Sequence, residues 1–246
     1  MEVLVLGATG KTGRLVVNQL LAQQISVRVI VRSAENFVTL LPTDLIKDSR
    51  LSVKEASILE LSEQALQEQV KGCCAVISCL GHNMNLKGIY GQPKRLVTDS
   101  VKRICKIIQS SSAEISPVKF ILMNTTGNVN SNAGEKTSLV QRGIVWLIRK
   151  LIPPHADNEG AAEYLQNNFF ESDKKIAWSV IRPDSLIDEQ NRTTYDIYPS
   201  PIRSAIFDAG TTSRINVANF MAALVTDSVL WAQWKTKMPV IYNRKN

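Results

Sequence analysis

Short apolar runs alternating with helix-periodic stretches set the pattern of this chain. Residues 3–6, 27–31, 75–80, 120–123 and 178–181 read as buried strands, with a weaker strand near 51–54. Helical periodicity falls between most of them, near 13–23, 62–70, 96–110 and 159–167. This order predicts an α/β protein with a Rossmann-type, doubly wound, mainly parallel sheet and helices on both faces. Sheets of that kind bind ligands beyond the carboxyl ends of their strands. Function is therefore expected in the turns after Leu6, Val31, Leu80, Met123 and Ile181.

The alternation is interrupted twice. A polar stretch at 128–137 leads into a helix-like segment, 138–151, closed by Pro153-Pro154. Beyond Pro183 the pattern turns irregular, with Tyr195, Tyr198, Pro199 and Pro201, before a helix at 217–227 and a last apolar piece at 240–242. The expectation is one nucleotide-binding domain over 1–246, its substrate pocket walled by the 128–155 insertion and the 184–215 segment.

The first strand breaks into Gly7-Ala8-Thr9-Gly10-Lys11-Thr12-Gly13 and then into a helix. Gly7 suits a tight turn, Gly10 lets backbone N–H groups approach a pyrophosphate, and Gly13 lets the helix pack close to the strand. The positive helix end then faces the anion. A nucleoside-triphosphate loop ending in Gly-Lys-Thr would need glycine at position 5, where Val5 stands. The ligand expected here is a dinucleotide, although the spacing is GxxGxxG rather than GxGxxG.

At the end of the second strand, about 20 residues past the glycines, NAD-binding units usually place an acid for the ribose hydroxyls. Here Arg32 and Ser33 offer a guanidinium and a hydroxyl, which suit a 2′-phosphate and favour NADP(H).

Composition narrows the remaining classes. The 29 Lys and Arg against 22 Asp and Glu give a charge of +7. The basic residues Lys94, Arg95, Lys102, Arg103 and Lys106 fall mostly on the polar side of an amphipathic helix, without the aromatic interleaving of single-strand binders, so no nucleic-acid partner is expected. No apolar run reaches the length of a membrane span and no signal peptide is evident, so a cytoplasmic protein without a membrane partner is expected. Cys73, Cys74, Cys79 and Cys105 form no disulfide framework, and with His82 and His155 the only histidines, no metal site is expected.

The glycine loop, Val31-Arg32-Ser33, the run Val76-Ile77-Ser78-Cys79-Leu80-Gly81, Ile181-Arg182-Pro183 and the late Ser213-Arg214-Ile215-Asn216-Val217-Ala218 together resemble the atypical short-chain dehydrogenase/reductases, in particular the NAD(P)H-binding, NmrA-like group. That group includes flavin reductases, isoflavone-reductase-like enzymes and redox-sensing members thought not to catalyse. The resemblance implies that Thr9, Gly10, Lys11 and Thr12 surround the pyrophosphate and that Arg32 meets the 2′-phosphate. It further implies that Cys79, Leu80 and Gly81 line the adenosine and ribose side, and that Pro183 lies near the nicotinamide. Where the group often has Gly-Asp for the adenine amine, this chain has Ala56-Ser57-Ile58, so Ser57 and Ile58 take that position.

The usual Tyr-x-x-x-Lys pair is missing: Tyr164 is followed by Asn168 and reads as a packing residue, and Glu159 stands where related members place a lone Lys. Hydride transfer to a flavin, quinone or other conjugated acceptor needs no such pair, because solvent can supply the proton. Thr125 is the candidate orienting hydroxyl and His155 a candidate proton donor, while His82 flanks the cofactor. A non-catalytic NADP(H)-binding sensor or assembly factor, presenting its surface to a protein partner, is the competing expectation.

Overall fold

The computed structural model describes residues 1–82, 90–111, 116–130, 134–135, 153–204 and 207–244. Its strands are β1 (Glu2–Leu6), β2 (Ser26–Val31), β3 (Leu51–Glu55), β4 (Ala75–Ser78), β5 (Val118–Met123), β6 (Ile176–Pro183), β7 (Ser185–Ile187), β8 (Tyr195–Tyr198), β9 (Thr211–Ser213) and β10 (Val240–Asn243). The helices are α1 (Lys11–Ala22), α2 (Ala34–Val38), α3 (Glu63–Val70), α4 (Leu96–Ser110), α5 (Pro153–Asn168), α6 (Arg214–Thr226) and α7 (Ser228–Trp234).

Eight strands form one sheet in the order β3-β2-β1-β4-β5-β6-β10-β8, and β7 pairs with β9 in a small second sheet. Among the described residues, only the β10–β8 pairing is antiparallel. Alternation along β1 sends Val3 and Val5 to one face, where Val16, Val17, Leu20, Val217 and Met221 cover them. Leu4 and Leu6 go to the other face, beneath Leu66, Val101, Ile104, Ala161 and Leu165. Side chains of period 2 thus meet helices of period 3.6 on both faces, which is the doubly wound architecture.

Three differences from the sequence reading bear on the site. β4 ends at Ser78, so Cys79 and Leu80 leave the strand and become part of the turn. Helix α5 begins at Pro153 rather than near 159, and the two prolines open it. The first turn of a helix has N–H groups without internal partners, so proline loses nothing there and its fixed φ helps. The irregular tract beyond Pro183 contains β7, β8 and β9, too short for periodicity to show. The helix expected at 138–151 lies outside the described residues.

The start of the insertion is tied to the sheet by a buried ion pair. Arg182, fully buried on β6, donates to Glu135 Oε1 at 2.6 Å and Oε2 at 2.8 Å, and also to the carbonyls of Met238 and Asn128. Burial opposes ionisation of Glu135, but the Arg182 hydrogen bonds and charge outweigh it and hold this carboxyl below its ordinary value. Among the described residues, no single helix is long and apolar enough to cross a membrane.

Candidate cofactor and acceptor site

The strand order reverses beside β1, between β2 and β4, and the glycine loop sits at that switch point. Gly7 has φ +73°, and a β-carbon on it would stand 2.5 Å from the Cys79 carbonyl oxygen. On Gly13 a β-carbon would stand 2.2 Å from the Gly7 carbonyl oxygen. The two outer glycines are therefore required by the fold itself, one for the turn against β4 and one for the helix against the turn. Gly10 is different. Its nearest obstacle is the Gly7 oxygen, at 3.2 Å, and its own N–H closes the turn on that oxygen at 2.9 Å.

Gly10 is also the N-cap of α1, and among the described residues no side chain caps that end. Ser33, Ser62, Ser213 and Asp227 cap α2, α3, α6 and α7 with side-chain oxygens. Thr9, Gly10 and Lys11 are exposed at the uncapped end, whereas Thr12 and Gly13 are buried. An uncapped helix start, with a glycine whose missing side chain opens toward solvent, fits an anion held on main-chain amides.

Lys11 also reaches across the groove, with Nζ 2.6 Å from Asp188 Oδ2. The Arg214 guanidinium bonds the other oxygen of the same carboxylate at 2.7 Å. The Lys11 hydrogen bond, with that of Arg214, keeps Asp188 below the usual carboxylate range.

At the ends of β2 and β3 the expected adenosine side is only partly preformed. Arg32 is exposed, and among the described residues its side chain makes no hydrogen bond or ion pair. The Ser33 hydroxyl accepts Asn36 N–H at 3.2 Å as the cap of α2. Glu55, unnoticed in the sequence, accepts the Ala34 N–H at 2.8 Å and sets a carboxylate against this same turn. Ser57 is half-buried, and its carbonyl closes the turn by accepting from Glu60 and Leu61. Ile58 packs inward with Leu66 and Val97, so its side chain belongs to the core.

After β4, the Cys79 backbone closes against Gly7, and burial pushes its thiol up to about 12, so the thiol is neutral lining at physiological pH. Leu80 is half-buried, and among the described residues nothing stands within 4 Å of a β-carbon on Gly81. His82 lies inside the protein, Nε2 donating to Asp157 Oδ2 at 2.8 Å, with side-chain exposures of 6% and 1%. Asp157, on α5, also accepts the Val97 N–H at 2.8 Å and the Thr98 N–H at 2.9 Å. It thereby caps α4 from another helix, since the N-cap residue Arg95 makes no such bond. No local sequence signal marks this role, because the cap and the helix lie 59 and 60 residues apart.

The turn after β5 brings the two candidate catalytic residues together. Asn124 Nδ2 donates to the Asn158 carbonyl at 2.8 Å, and Thr126 Oγ1 donates to Asp184 Oδ1 at 3.2 Å, so the turn is fixed to both α5 and the end of β6. A β-carbon on Gly127 would lie 3.5 Å from His155 Cε1 and 3.8 Å from Thr125 Oγ1. Thr125 Oγ1 accepts the Gly127 N–H at 3.3 Å, which leaves its hydrogen to donate outward. Pro183 is buried beside them, its carbonyl accepting the Thr126 N–H at 3.2 Å. Glu159, one turn along α5 from His155, is 5% exposed. Tyr164 is the packing residue its context predicted, edge-on to Phe169 at 5.8 Å with Lys102 over its ring.

Fold and glycine loop define a Rossmann-type nucleotide-binding protein. The family model for NAD(P)H-binding proteins matches residues 7–228, and the chain belongs to that family. No curated protein matches it in sequence. Among solved structures, a short-chain dehydrogenase/reductase of the wide type from Veillonella parvula, in complex with NADP, superposes with a TM-score of 0.67 at 16% identity over 98% of this chain and 94% of the other. The oxidoreductase ylbE from Lactococcus lactis gives 0.67 at 16% identity over 100% and 92%. The anaerobillin reductase ChuY from Escherichia coli gives 0.65 at 16% identity over 100% and 98%. These likenesses establish the fold and agree with the resemblance to the atypical short-chain dehydrogenase/reductases.

Proposed function

We propose that the protein is an NADPH-dependent oxidoreductase that passes a hydride to a flavin, quinone or other small conjugated acceptor. The observation that carries this reading is the convergence of Thr125 and His155 around Gly127, at the sheet edge that also holds the glycine loop. The uncapped start of α1 takes the pyrophosphate, Arg32 the 2′-phosphate, and Pro183 borders the nicotinamide. The cofactor, when bound, supplies the hydride. Thr125 then orients the acceptor through its free hydroxyl hydrogen, and His155 delivers the proton that balances the hydride in the reduced acceptor. The Escherichia coli neighbour of the same fold is an anaerobillin reductase, which supports a small-molecule acceptor.

A second reading is favoured by one specific feature. The buried Glu159 stands where the family resemblance implies a lysine, and a carboxylate there repels a nascent alkoxide. On this reading the protein binds NADP(H) as a redox sensor and signals to a protein partner. Mixing purified protein with NADPH and a panel of flavins and quinones, and following loss of reduced-nicotinamide absorbance, separates the two. Turnover that drops about 10- to 100-fold in His155→Phe and Thr125→Val supports the enzyme. Tight binding without turnover supports the sensor.

A further inference from the structure

Two cations from distant parts of the chain share one carboxylate at the mouth of the glycine loop. Lys11 opens α1 and Arg214 opens α6, and both bind Asp188, at 2.6 Å and 2.7 Å. Helices α1 and α6 pack side by side, with Gln19 donating to the Ile215 carbonyl at 3.1 Å and Asn219 to Gln19 at 3.1 Å. Their relative position is therefore set by packing, not by the surface ion pairs. Of the three charged side chains, Lys11 is 60% exposed, Asp188 57% and Arg214 21%.

We propose that Arg214 is a second cation for the cofactor diphosphate, acting with Lys11, and that Asp188 is the internal anion that occupies both until the diphosphate displaces it. The inference rests on the cofactor reading above. One carboxylate bridging both side chains shows that they can serve a single anion without any helix moving. A diphosphate carries more charge than a carboxylate and presents more acceptor oxygens, so it competes well for the same donors. The displaced pairs are solvent-exposed and individually weak, so the exchange costs little. Arg214 is the better shielded of the two cations, and its planar guanidinium matches phosphate oxygens.

Calorimetry on the full chain tests this with three probes: NADPH, ADP-ribose, which keeps the diphosphate, and adenosine 2′-monophosphate, which lacks it. Arg214→Gln should weaken NADPH and ADP-ribose by about three- to tenfold and leave the 2′-monophosphate unchanged, with Arg214→Lys recovering part of the loss. Asp188→Asn should tighten NADPH and ADP-ribose by about two- to fivefold, and as a change at an exposed residue it keeps the test open if Arg214→Gln does not fold. Wild-type affinity for ADP-ribose in Arg214→Gln overturns the proposal. So does an equal loss for the 2′-monophosphate, or weaker binding in Asp188→Asn. Failure of the underlying cofactor reading looks different, because the wild-type protein would then give no heat with NADPH or NADH.

Discussion

At the scale of single residues, the three glycines of the loop have separable duties. Gly13→Ala drives a β-carbon into the Gly7 carbonyl, backbone against backbone, so it should lower the melting temperature sharply and abolish binding together. Gly10 has an ordinary extended conformation, φ −73° and ψ 158°, and among the described residues only one close neighbour. Gly10→Ala should therefore change stability by less than about 1 kcal/mol while weakening NADPH binding at least about tenfold, measured by thermal melts and calorimetry on the same sample. A variant that binds normally would show that the anion does not lie on this residue. The turn after β2 carries opposed charges, with the Arg32 guanidinium exposed and the Glu55 carboxylate on the Ala34 N–H. Arg32→Ala should weaken NADPH far more than NADH, and Glu55→Gln should shift the preference further toward NADPH by removing a neighbouring negative charge. Equal losses for both nucleotides in Arg32→Ala would refute the 2′-phosphate assignment.

At the scale of elements, two buried carboxylates tie distant parts of the chain together. Asp157 holds the start of α4 and the His82 loop to α5, so Asp157→Ala leaves two helix N–H groups and an imidazole without their acceptor. The cost should be about 2–4 kcal/mol in urea unfolding, with Asp157→Asn losing less because its amide oxygen still accepts. Glu135 anchors the insertion to β6 through Arg182. Its carboxyl is held below the ordinary value of 4.5, so the unfolded chain takes up a proton there before the folded one does. The ion pair stabilises fully above that ordinary value, and the stabilisation disappears as pH falls through the lowered folded value. Stability measured from neutral pH downward should decline over that window in the wild type and more gently in Glu135→Gln. That variant starts lower by about 3–5 kcal/mol, since Arg182 is left buried without its counter-charge. Parallel curves for the two proteins would remove Glu135 from the account of acid sensitivity.

At the scale of the whole molecule, a ligand that bridges the β1–β4 switch point stabilises the folded state against the unfolded one. NADPH at about one hundred times its dissociation constant should contribute about 2.7 kcal/mol and raise the melting temperature by roughly 5–10 °C. A melting temperature indifferent to NADPH would mean that the loop is a structural turn. The sheet, its mainly parallel sense and the place of the glycine loop were all legible beforehand, because apolar periodicity and turn glycines act over a few neighbouring residues. The start of α5 was misread because proline breaks a helix in its interior yet begins one well, and the pattern of 153–159 contains both signals. Thr125 and His155 were each visible as residue types, but their meeting at Gly127 depends on how α5 is held against the turn after β5. Asp157 capping α4, Glu55 facing the β2 turn, and Asp188 spanning Lys11 and Arg214 left no mark in any local window. The linear order of residues thus determined the architecture and the glycine turn at its switch point, both products of short-range pattern. Only tertiary packing decided which charges meet, because a buried or bridging carboxylate takes its partners from whatever elements the core brings beside it.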